Sequence, residues 1–143
     1  MSTVDFNEYR DIGGGNTDGS LDFFFKTART IAKSWHIARP LYVEIDADGG
    51  VAMQKKHRAP YTMRVLFGDA GLDGGRQLAY KIVLSGTSAE YGGEGPHGTA
   101  TILRFMGVPE SIVKKVFSNK QMRIVWTTDF VIPDEGHWEL KTE

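Results

Sequence analysis

From Leu21 to Trp35 the apolar residues Leu21, Phe24, Phe25, Ala28, Ile31, Ala32 and Trp35 fall at i, i+3, i+4, i+7, i+10, i+11 and i+14. Only an α-helix lays that pattern along one stripe, and a stripe this apolar must be buried against something. Lys26, Thr27, Arg29, Thr30, Lys33 and Ser34 fill the opposite side. Asp18 or Ser20 can cap the start, and Asp22 suits the positive end of the helix dipole. Pro40 ends the run, because the residue before a proline avoids the helical region. The spacing predicts a helix over Leu21–Ala38, and the rest of the chain must supply the surface that it covers.

After Pro40 the period changes to two. Leu41, Val43 and Ile45 alternate with Tyr42, Glu44 and Asp46, and Ala47-Asp48-Gly49-Gly50 reads as a hairpin turn into Val51 and Met53. Further strands are expected over Tyr61–Phe67, Gln77–Glu90, Thr99–Met106, Met122–Ile132 and Trp138–Lys141. Pro109–Asn119 reads as a second, short helix with Ile112, Val113, Val116 and Phe117 as its buried stripe. Hairpin spacings favour antiparallel pairing. The expectation is an α+β fold: a strongly curved antiparallel sheet, or open barrel, of about six to seven strands packed on the long N-terminal helix, plus one short helix.

The first twenty residues carry Gly13-Gly14-Gly15-Asn16-Thr17-Asp18-Gly19 and read as a glycine-rich arm, with a short extended piece around Val4–Tyr9. Residues 21–143 then form a single domain, which suits a chain of 143 residues with 41% apolar and 24% charged composition. With 17 basic and 18 acidic residues the net charge is −1, which argues against a dedicated nucleic-acid binder. The absence of cysteine excludes disulfides, thiolate nucleophiles and cysteine-ligated metals. Met1–Arg10 lacks the apolar core of a signal peptide, and no apolar run is long enough to span a bilayer, so a soluble, cytoplasmic protein without membrane contact is expected.

Chemistry is most concentrated in Ser88–Thr99. His97 and Glu90 are candidate acid–base partners, with Tyr91 and Glu94 as binding groups on the same glycine-rich loop. A polar connection whose glycines serve turn geometry is the plainer alternative, since no nucleophile motif accompanies them. Lys55, Lys56 and Arg58, with His57 between them and Arg64 beyond, form the one basic cluster and are candidate binding residues. Lysines guarding a strand edge explain that cluster as well. Asp129–Glu143 holds five acidic residues against one basic, so opposite charges are available for docking or self-association.

No metal-ligand set is expected. Asp46 and Asp48 lack the later ligands of a calcium loop, and the four histidines, at 36, 57, 97 and 137, show no helical pairing. Gly13–Thr17 lacks the lysine of a phosphate loop, and no cofactor motif is present. Phe23 lies off the helix stripe and Leu66 on the polar face of its strand, where apolar groups can mark an interface.

These features favour a small, non-catalytic binding module holding a small-molecule ligand or a protein partner on a concave sheet–helix face or an oligomer interface. A small cone-shaped-barrel enzyme (hydrolase, lyase or isomerase) using the His97–carboxylate pair is the first alternative. An oligomeric structural or inhibitory accessory protein is the second.

Overall fold

A computed structural model of the chain describes residues 7–11, 17–34, 39–47, 61–69, 77–87, 93–128 and 136–141. The elements run β1 (Asn7–Arg10), α1 (Thr17–Ser34), β2 (Arg39–Asp46), β3 (Met63–Asp69), β4 (Gln77–Leu84), α2 (Glu94–Phe105), α3 (Glu110–Val113), a 3-10 turn (Lys114–Phe117), β5 (Gln121–Thr128) and β6 (Gly136–Lys141). The strands form one six-stranded sheet in the order β1-β4-β3-β2-β5-β6. It is open rather than closed into a barrel, with β1 and β6 at its edges.

The sheet is mixed rather than wholly antiparallel, because β1 runs parallel to β4 while the other neighbours are antiparallel. A parallel neighbour needs a long crossover, and the chain from β1 through α1, β2 and β3 supplies one. These directions place the C-terminal ends of β1, β2 and β4 at the same end of the sheet.

Strand residues alternate between two faces. Val43, Ile45, Met63, Val65, Phe67, Ile82, Leu84, Met122, Ile124 and Trp138 turn to one side and join the principal core. Phe24 and Ile31 of α1, Ala100, Ile102 and Leu103 of α2, and Ile112, Val113 and Val116 beyond them complete it. The cover is thus shared among helices, where the sequence pointed to one. α1 begins at Thr17, four residues before the expected start, and residues 35–38 lie outside the described residues. Phe23, off the helical stripe, still packs against the core.

Two expected strands are corrected. Gln77–Glu90 stops at Leu84, because the Ser85 N–H turns away to a side chain described below. Thr99–Met106, expected as a strand, is the body of α2. Its threonines and isoleucine suggest a strand locally, but Thr99, Ile102 and Leu103 recur at i, i+3 and i+4 on a buried helical face, and the capping Met106 continues it half-buried. Gly107 stops the helix at φ 84°. Its N–H donates to the Arg104 carbonyl and the Val108 N–H to the Leu103 carbonyl, both at 3.0 Å, the paired bonds of a glycine-terminated helix. Arg104 then pairs with Glu110 across the corner, and that hydrogen bond pulls the exposed Glu110 carboxyl below its ordinary pKa. The expected returning strand at Val51–Met53 lies outside the described residues.

Gly98 marks where α2 meets the first turn of α1. A Cβ built there would lie 2.6 Å from the Thr17 methyl and 3.4 Å from that of Thr87. Glycine-to-alanine inside a helix ordinarily stabilises by about 0.5–1 kcal/mol. Here the clash reverses the sign: Gly98→Ala is expected to lower the urea midpoint. In a Thr17→Ser background, which removes the methyl and keeps the hydroxyl, the same change is expected to be neutral or stabilising.

Candidate functional site

Where β1 and β4 end side by side, polar groups are buried together. Asp11 is 3% exposed, Ser20 0%, Ser85 8% and Thr87 0%. The Asp11 carboxyl accepts from the Ser85 N–H (2.9 Å), the Ser85 hydroxyl (2.6 Å) and the Ser20 hydroxyl. Ser20 Oγ in turn accepts from the Gly86 N–H (2.8 Å), and the Thr17 hydroxyl donates to the Gly86 carbonyl (2.7 Å). The Asp11 N–H donates to the Val83 carbonyl at 3.1 Å, and the Tyr61 hydroxyl donates to the Asp11 carbonyl at 3.3 Å. A buried carboxyl requires such a set of donors. These bonds tie the edge strand, the turn after β4 and the first turn of α1 together, while the buried Thr87 hydroxyl has no partner among the described residues.

Of the sequence-derived site residues, Glu94, His97 and Arg64 lie among the described residues. Glu90, Tyr91, Lys55, Lys56 and Arg58 lie outside the described residues. Glu94 opens α2 and is exposed, a favourable place for a carboxylate at the positive helix end. His97 is exposed one turn on, its ring 4.8 Å from that of Phe117. Among the described residues, no group of three or more His, Asp or Glu is placed to hold a metal ion. Arg64 stands elsewhere, on the sheet face away from the principal core.

That face carries a pattern the sequence left implicit. The pairings place Arg10, Val83, Arg64, Glu44, Arg123 and Lys141 in one row across all six strands. Four cations and one carboxylate leave a formal charge of +3 on the row. Five strand spacings make it about 24 Å long. Glu44, its side chain 16% exposed, holds Arg64 at 2.5 Å and lies 3.9 Å from Arg123, whose side chain is 53% exposed. Arg123 and Lys141 are direct cross-strand neighbours of like charge, an arrangement that costs stability on its own. Arg10 sits over the Tyr61 ring at 5.1 Å.

The adjacent row runs Lys81, Leu66, Tyr42, Val125 and Glu139, an apolar centre between charged ends. Leu66, Tyr42 and Val125 are all half-buried. Period-two alternation already marks Arg64, Leu66 and Arg123 as facing away from the core. Strand order, which aligns them, is not a local property. Arg39 lies at the start of β2 with its guanidinium 3.7 Å above the Trp126 ring, and burial lowers its pKa.

Asp11→Ala removes the acceptor of three buried hydrogen bonds and is expected to cost about 3 kcal/mol by urea unfolding. Ser85→Ala, which leaves the backbone bond to Asp11, is expected to cost about 1 kcal/mol. Comparison of the chain with protein-family models, with curated proteins and with solved structures found no match.

Proposed function

We propose that this chain is a non-catalytic binding module that receives an acidic protein segment on the face of its sheet that carries no helix among the described residues. The observation that carries the reading is the run Arg64–Glu44–Arg123–Lys141 beside the half-buried row Leu66–Tyr42–Val125, while at the β1 end of the same row Val83 is buried with Tyr61. Cations beside an apolar strip suit a segment that carries carboxylates and apolar side chains together. On the side of the sheet that meets the helices, Phe24, Met63, Ile82 and Leu103 are each 0% exposed, which gives the other face the stronger support.

Glu44 decides between classes of polyanion. It interrupts the cations at the middle of the row, whereas a nucleic-acid backbone wants a continuous positive track. The overall charge of −1 points the same way. The enzyme alternative draws less support, because His97 and Glu94 are both exposed and the described contact of the His97 ring is aromatic.

Fluorescence anisotropy with a labelled peptide of alternating glutamate and leucine tests this, with a single-stranded oligonucleotide of equal charge as comparator. The peptide is expected to bind more tightly than the oligonucleotide. Arg123→Glu is expected to weaken peptide binding at least about tenfold, the equivalent of about 1.4 kcal/mol. Preference for the oligonucleotide, or indifference to Arg123→Glu, contradicts the proposal.

A further inference from the structure

The sheet ends at β6, and among the described residues no strand pairs with its outer side. On the face away from the principal core β6 presents His137, Glu139 and Lys141 in turn. An unpaired strand edge is a template for another strand. We propose that β6 pairs antiparallel with β6 of a second copy of this chain, across a two-fold axis at Trp138.

Charge and strand length together select the register: centring on Leu140 would oppose Glu139 to Lys141 but would leave only residues 139–141 of β6 paired. An antiparallel two-fold keeps odd-numbered residues of both copies on the same face, so only registers that pair odd with odd are available. Centring on Glu139 would oppose Glu139 to its own copy, two carboxylates face to face, and would leave Lys141 without a carboxylate opposite. Centring on Trp138 opposes His137 to Glu139 twice and keeps Gly136–Leu140 paired throughout. Within one copy His137 Nε2 already lies 2.7 Å from a Glu139 oxygen, with side chains 64% and 44% exposed. Both groups therefore remain available to a neighbour while meeting each other. On the core side Trp138, 5% exposed, is already held by the Trp126 ring at 5.5 Å and by its indole N–H donating to the Met106 carbonyl at 3.2 Å, so each strand would meet its copy with the central side chain fixed.

The consequence is a continuous twelve-stranded sheet, twice the six strands of one copy. Because the axis is normal to the sheet, both cationic rows lie on the same side. Two rows on one surface would hold a partner with two acidic segments far more tightly than either row alone. The pairing itself does not depend on what the face binds.

The chain has no cysteine, so introduced thiols report without background. Opposed residues of an antiparallel pair stand about 4.5–5.5 Å apart at Cα, within disulfide reach. A mixture of His137→Cys chains and Glu139→Cys chains is expected to form a disulfide-linked dimer under mild oxidation, well beyond what either variant forms alone. In sedimentation equilibrium the unsubstituted chain is expected to be dimeric. Glu139→Lys is expected to weaken the dimer at least about tenfold, and adding His137→Glu to restore it. A monomeric unsubstituted chain, cross-linking no greater in the mixture than in the separate variants, or a double variant no tighter than Glu139→Lys each overturns the proposal. Circular dichroism on every variant confirms that loss of the dimer is not loss of the fold.

Discussion

The Asp11 carboxyl group is the point on which the arrangement turns. β1 is only four residues long and pairs in parallel at the sheet edge, which is a weak hold for a strand. Asp11 anchors it by accepting from Ser85 beyond β4 and from Ser20 in the first turn of α1. The same bonds turn the chain away from the sheet after Leu84, on the path that leads to α2. They also hold the first turn of α1 beside the Ser85–Thr87 turn, where the Thr17 methyl sits against Gly98. Without that anchor, Arg10 would not be aligned with the cations of the other strands.

The two sides of the sheet then take different physical roles. One is closed by apolar side chains from every helix and supplies the free energy of folding, at roughly 25 cal/mol for each Å² of apolar surface removed from water. The other combines cations, one shared carboxylate and a short apolar strip, a composition more typical of an interface than of a core or a plain solvated surface. Glu44 shapes this second side. It neutralises Arg64 enough for the guanidinium to be half-buried, and it divides the cations into groups that discrete carboxylates fit better than a continuous polyanion.

Much of this was legible in the residues. The α1 stripe, the period-two strands, the short helix after Pro109 and the α+β class follow from local patterning. α2 was missed because Thr99, Thr101 and Ile102 carry strand propensity, which tertiary burial overrides. The glycine at 107 followed by Pro109 was the stop signal that would have revealed it. The parallel placement of β1 could not be read, since it rests on bonds from Asp11 to residues 74 positions away. The candidate site divided in the same manner. Arg64 and Leu66 were identifiable as facing away from the core, but their alignment with Arg10, Arg123 and Lys141 depends on strand order. His97 stands out in the sequence through its neighbours in Ser88–Thr99, of which Glu90 and Tyr91 lie outside the described residues, and its ring is exposed on α2 beside that of Phe117.

The most direct test of the central claim is the location of binding rather than its strength. Backbone amide shifts of the isotope-labelled chain, followed while an acidic peptide is added, resolve it residue by residue. The account predicts perturbations concentrated at Tyr42, Glu44, Arg64, Leu66, Arg123 and Val125, with Glu94 and His97 unmoved. Shifts clustered on α2 around Glu94 and His97, with the sheet face silent, would contradict it.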